Sequence, residues 1–156
     1  MKKVLYIILI SIFSLTILSC AKEEEKKTEA PVIASSDPDP APAPAISVGE
    51  YHTCAILDNA SVKCWGYNNK GQLGIDNSAN MGDNSGEMAL LPVVNLGTGR
   101  TATAIAAGDE HSCAILDNAS VKCWGQNGRG QLGIDNNTRM GNNTGEMALI
   151  PTVNLG

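Results

Sequence analysis

Gly49-Glu-Tyr-His-Thr-Cys-Ala-Ile-Leu-Asp-Asn-Ala-Ser-Val-Lys-Cys-Trp-Gly66 recurs 59 residues later as Gly108-Asp-Glu-His-Ser-Cys-Ala-Ile-Leu-Asp-Asn-Ala-Ser-Val-Lys-Cys-Trp-Gly125. The same offset carries Gln72 to Gln131, Met88 to Met147, Pro92 to Pro151 and Gly97 to Gly156. Between Gly49–Gly97 and Gly108–Gly156, 36 of 49 positions are identical, which chance cannot produce. The chain therefore contains a duplicated unit, and the fold must be read one unit at a time.

Each unit predicts β structure. His52-Thr-Cys-Ala-Ile-Leu57 and Ser61-Val-Lys-Cys-Trp65 alternate in character and flank Asp58-Asn59-Ala60, whose composition suits a tight turn. Ile46–Val48 and Leu90–Leu96 supply two further strand candidates, making a four-stranded unit. Gly66 to Gly86 is a long excursion rich in Gly, Asn and Asp, with turn chemistry throughout. Sixteen glycines, seven prolines and 4% aromatic residues also favour short strands over long helices.

This pattern resembles the regulator-of-chromosome-condensation repeat in its bacterial, cysteine-containing form. The resemblance rests on the hairpin, Trp-Gly (Trp65-Gly66, Trp124-Gly125) and Asn-x-x-Gly-Gln-Leu-Gly (Asn68 to Gly74, Asn127 to Gly133) in order, twice. It covers residues 45–156 and implies an all-β fold: two four-stranded blades of a β-propeller that usually has seven. It also implies structural roles for His52, Trp65, Gly66, Gln72, Gly74, His111, Trp124, Gly125, Gln131 and Gly133. Ala60 and Ala119 stand where the family usually has glycine. Alanine tolerates positive φ poorly, so a different turn type is expected there.

Outward from the repeats, the N-terminus reads as an address. Met1-Lys2-Lys3 precedes an uncharged, mostly apolar run from Val4 to Leu18. That run is short for a spanning helix and suits the core of an export signal. It ends Ile17-Leu18-Ser19-Cys20, which resembles a bacterial lipobox with Cys20 as the lipid-accepting residue. Residues 1–19 are thus expected to be a lipoprotein signal peptide, containing the signal helix. Residues 20–44, with Lys-Glu-Glu-Glu-Lys-Lys and alternating prolines, are expected to be a disordered tether. Repeat 1 is then 45–103 and repeat 2 is 104–156. The expected location is the bacterial cell envelope, lipid-anchored to a membrane. Ala21 favours the outer membrane where there are two.

Cysteine usage supports this division. Cys20 stands alone, and the other four form two Cys-x9-Cys pairs. If Ile56 pairs with Val62, the register sets Cys54 opposite Cys64 and Cys113 opposite Cys123, within disulfide reach. Export makes oxidation plausible chemistry. Zinc competes weakly, because structural zinc uses closely spaced Cys pairs and four ligands.

Charge narrows the partners. Without Lys2 and Lys3, 9 basic residues stand against 16 acidic ones, a balance of −7. Nucleic-acid binding draws its affinity from clustered Lys and Arg, so no nucleic-acid partner is expected. His52 and His111 are the only histidines, at one repeat position, with no serine or cysteine marked as a nucleophile beside them. The segment Asp76 to Glu87, with its copy Asp135 to Glu146, is rich in oxygen ligands. Gly82 misses the turn position of a calcium loop, however, and Asn142 replaces Asp83. No metal, cofactor or enzymatic activity is expected.

The favoured function is a binding scaffold for a protein or glycan. The resemblance also implies an alternative, a guanine-nucleotide exchange regulator. An enzyme-inhibitor-type binder is a further alternative, by fold analogy alone. Two blades are few for a repeat fold, so the chain is expected either to be a truncated piece of a longer repeat protein or to form a homo-oligomer that closes a propeller.

Overall fold

The computed structural model describes residues 45–156. The expected signal peptide, Cys20 and the tether lie outside the described residues. Two antiparallel three-stranded sheets form, one per repeat. The first orders β1 (Ala45–Val48), β2 (His52–Ile56) and β3 (Val62–Gly66). The second orders β4 (Ala102–Ala107), β5 (His111–Leu116) and β6 (Val121–Gly125). Ile56 faces Val62 and Cys54 faces Cys64. In the second sheet Ile115 faces Val121 and Cys113 faces Cys123. β4 opens at Ala102, two residues ahead of residue 104, and carries a bulge at Thr103.

The four-stranded expectation needs correction. The segment Leu90–Leu96 is not a strand. Its start belongs to a single helical turn, α1 (Glu87–Leu90), copied as α2 (Glu146–Leu149). Beyond that turn, Pro92 and Pro151 have no N–H to give a ladder. Only one backbone bond per repeat survives, from Val94 N–H to the Val62 carbonyl (2.8 Å) and from Val153 N–H to the Val121 carbonyl (2.8 Å). The segment runs beside β3 without joining it.

The hairpin tip also departs from expectation. Ala60 and Ala119 do adopt the left-handed region, at φ 58° and 63°. Leu57 N–H bonds the Ser61 carbonyl and Ala60 N–H bonds the Leu57 carbonyl, at 2.9 and 2.8 Å. This is the three-residue loop whose last member must be left-handed. The Asn59 side-chain oxygen secures it by accepting from the Ser61 N–H (3.1 Å) and hydroxyl (2.7 Å). Those bonds outweigh the strain of alanine, about 1–2 kcal/mol.

The core does not divide at the repeat boundary. Ile56, Val62, Leu73, Val94 and Leu96 of repeat 1 pack in one cluster with Ala102 at the start of β4 and with Ala114, Leu116, Trp124, Met147 and Ile150 of repeat 2. The buried surface is therefore largely the junction between the blades.

Candidate interaction surfaces

Trp124 is fully buried and its indole N–H donates to the Gln72 carbonyl at 3.0 Å. The Ser112 hydroxyl donates to the same carbonyl at 2.9 Å. His52 Nε2 lies 2.8 Å from that hydroxyl oxygen. The hydroxyl has one hydrogen and spends it on Gln72, so His52 Nε2 carries a proton and donates. A histidine that donates to a serine cannot take its proton, so this buried His–Ser pair is a structural tie across the junction. Burial, and then the nearby His111, hold the His52 imidazole below its ordinary pKa.

More bonds cross the same junction. The Lys122 ammonium reaches over to the Leu96 carbonyl (3.3 Å) and also bonds Met147 O in its own repeat (2.8 Å). Burial lowers its pKa, while the Asp76 carboxylate works the other way. The Asp76 carboxylate accepts the Met147 N–H at 2.8 Å. Gly71 lies flat against the second repeat: a Cβ there would meet Asn142 N at 2.5 Å. Gly74 is equally confined, since its Cβ would meet Trp124 Nε1 at 2.7 Å.

Among the described residues, the equivalent positions on the outer faces have no blade over them. On the far side of repeat 2, His111 and Gln131 are half-buried where His52 and Gln72 are buried. Leu155 is 79% exposed where Leu96 is 5%. On the near side of repeat 1, Trp65 is half-buried where Trp124 is sealed, and Met88 is 48% exposed where Met147 is 0%. A cleft of about 540 Å³, lined by Asp109, Glu110, His111, Gln126, Arg129 and Gln131, lies on the face of repeat 2 that corresponds to the covered face of repeat 1.

Gly66 and Gly125, at φ 110° and 103°, end the third strands and hold the returning loop. Gly66 exchanges two backbone bonds with Met81, and Gly125 does so with Met140. Gly66 and Gly125 thus sit where the strand turns back, and Gly71, Gln72 and Gly74 lie at the junction. Gln131 and Gly133 hold the same positions with no described blade against them, and Gly133 keeps only the valine contact, on Val153, that Gly74 makes with Val94.

The cysteine pairs are disulfide-bonded, Cys54 to Cys64 and Cys113 to Cys123, each with Cα atoms 4.1 Å apart. The oxygen-rich loops are organised by their own hydrogen bonds. The Glu87 carboxylate accepts the N–H groups of Gly82 (2.8 Å) and Asn84 (3.0 Å). Hydrogen bonds from Asn84 and Gly82 depress its pKa. In the copy, burial pushes the Glu146 carboxyl up, but bonds from Asn143, Asn142 and Gly141 prevail and leave it lowered. Asn68 and Asn127 open the Asn-x-x-Gly-Gln-Leu-Gly motif and the sequence assigns them no role of their own, yet they organise these loops. The Asn68 amide donates to the Asn77 and Ala79 carbonyls, both at 2.9 Å, and accepts the Leu73 N–H at 3.0 Å. Asn127 repeats all three bonds. Their signal in the sequence is identity between neighbours that differ: Tyr67 and Asn69 in one copy, Gln126 and Gly128 in the other.

Models of the regulator of chromosome condensation (RCC1) repeat match residues 45–72, 102–131 and 61–115, together spanning more than half the chain. The chain belongs to the RCC1 repeat family. Curated relatives include the mitochondrial RCC1 domain-containing protein RUG3 of Arabidopsis thaliana. It is 36% identical over 88 residues, 56% of this chain and 18% of that protein. Protein pim1 of Schizosaccharomyces pombe is 32% identical over 93 residues, 59% of this chain and 17% of its own length. Among solved structures, yeast RCC1 (Prp20) bound to Kap60 superposes with a TM-score of 0.51 at 23% identity. The match covers 72% of this chain and 25% of that one. The chain thus spans a quarter or less of the length of these proteins, and its two sheets resemble RCC1 propeller blades.

Proposed function

We propose that this chain is a lipid-anchored envelope protein whose two RCC1 repeats present a recognition surface to a protein partner. The observation carrying the recognition reading is where the two repeats differ. Most residues that build the blades are identical in both copies and the exceptions are conservative (Thr53 for Ser112, Leu91 for Ile150), while Tyr51, Tyr67, Asn69 and Lys70 become Glu110, Gln126, Gly128 and Arg129. Tyr51 and Tyr67 are exposed and meet edge to face with ring centroids 6.0 Å apart, which places the β1–β2 turn beside the loop that follows β3. The neighbouring Glu50, by a hydrogen bond and by its charge, raises the Tyr51 phenol pKa. A constant scaffold carrying a varied, tyrosine-bearing loop edge is the arrangement expected of a binding face. The solved complex of yeast RCC1 with Kap60 supports a protein as the class of partner.

The lipid anchor rests on the Ile17-Leu18-Ser19-Cys20 sequence. Palmitate labelling in a bacterial host should mark the wild-type chain and not Cys20→Ser; equal labelling of both would sink the anchor. Recognition is tested by affinity capture with the full chain against a variant carrying Tyr51→Glu and Tyr67→Gln, the residues of the second copy. Loss of the captured protein in the variant supports the reading. Capture that is indifferent to the substitutions removes it, and acceleration of nucleotide release from a small GTPase would favour the exchange-factor alternative.

A further inference from the structure

The two uncovered outer faces are the two halves of the junction already present inside the chain. The inner junction joins the far side of repeat 1 to the near side of repeat 2. The far side of repeat 2 and the near side of repeat 1 carry the same groups, displaced by 59 residues. The bonds that His52, Gln72, Lys122 and Asp76 make across the inner junction have their donors and acceptors waiting on these faces; the bond from Ala107 N–H to the Ser47 hydroxyl does not, because Ala106 stands 59 residues after Ser47. We infer that copies of this chain dock head to tail, with the far side of repeat 2 on one copy covered by the near side of repeat 1 on the next.

The contacts follow from the inner junction residue by residue. The His52–Ser112 tie becomes His111 to Thr53 of the next copy, and threonine keeps the hydroxyl. The two donors to the Gln72 carbonyl become the Thr53 hydroxyl and Trp65 indole, both to the Gln131 carbonyl. Lys122 on Leu96 becomes Lys63 on Leu155, and Met147 on Asp76 becomes Met88 on Asp135. Sterically, a methyl group added at Gly130 would meet nothing within 4 Å, whereas its counterpart Gly71 is pressed on backbone. The cleft over His111 and Gln131 is the space that a next blade fills. The near side also exposes Ile46 (67%), which β4's equivalent Ile105 packs against the core in repeat 2. Such a contact is heterologous, because the two faces differ, and it closes only rings with an even number of blades.

The test is association of the full chain in non-ionic detergent, followed by sedimentation equilibrium with the micelle density-matched. Wild type should form oligomers. Met88→Asp puts a carboxylate where the inner junction holds a fully buried methionine, and Leu155→Asp does the same at the opposite face. Each should weaken self-association by about a hundredfold or more. Mixed together, the two variants should form a one-to-one dimer, since each retains the face the other lacks. Lys63→Glu serves as a second near-side variant should Met88→Asp lose cooperative unfolding. A monomeric wild type at high concentration overturns the inference. So do face variants that still assemble, and a mixture of variants that stays monomeric.

Discussion

Gly71 and Gly130 occupy the same repeat position, with φ of 82° and 75°, and differ in what lies above them. Replacing either with alanine imposes the same left-handed strain, about 1–2 kcal/mol, partly offset by a stiffer unfolded chain. For Gly130→Ala the added methyl meets nothing within 4 Å, so a net loss of about 1 kcal/mol is expected. For Gly71→Ala the methyl would stand 2.5 Å from Asn142 N and 2.6 Å from the Gly141 carbonyl carbon. These are backbone atoms and cannot swing aside as a side chain would. Overpacking adds about 1–3 kcal/mol, here toward the upper end. Gly71→Ala should therefore lose about 2–3 kcal/mol more than Gly130→Ala, a large share of a small domain's stability. The assay is urea unfolding followed by tryptophan fluorescence, at concentrations low enough that copies do not associate. If the two variants agree within about 0.5 kcal/mol, the second repeat does not sit on Gly71 and the junction is wrong.

Three further outcomes can be measured. His52 has a folded-state pKa below its unfolded value, so the unfolded chain binds the extra proton and stability falls on acidification. The loss should begin near pH 6.5, continue down to the depressed folded pKa, and disappear in Ser112→Ala,His52→Gln measured across the same range. Ala60→Gly and Ala119→Gly should each raise stability by about 1 kcal/mol by relieving positive φ, visible as a higher urea midpoint; a lower midpoint would contradict the turn assignment. Peptide mapping of the unreduced protein should recover Cys54 with Cys64 and Cys113 with Cys123. Each link closes a short loop worth about 3 kcal/mol, so reduction should lower the unfolding midpoint sharply.

Much of the blade is legible in the sequence because it rests on local relations. The Ile56–Val62 and Cys54–Cys64 pairings follow from hairpin register, which sequence spacing specifies once the turn is known. The fourth strand is where the pattern misleads: apolar Leu90–Leu96 looks like a strand until Pro92 and the helical turn at Glu87–Leu90 are weighed against it. The hairpin tip misleads for a related reason. Asparagine hydrogen bonds and strand pairing, summed over the loop, outweigh the preference of one alanine.

By itself, the sequence determined that a unit is duplicated, that the unit is an RCC1-type hairpin blade, and that its cysteines can pair within it. It also showed which residues the two copies share. What it could not separate were residues identical in sequence and opposite in circumstance. Trp65 and Trp124, Met88 and Met147, Leu96 and Leu155 are the same amino acids at the same repeat positions, yet one of each pair is sealed and the other open. Only the tertiary structure decides this, because burial depends on which neighbour a face meets, and among the described residues one copy of each face meets another blade and the other does not.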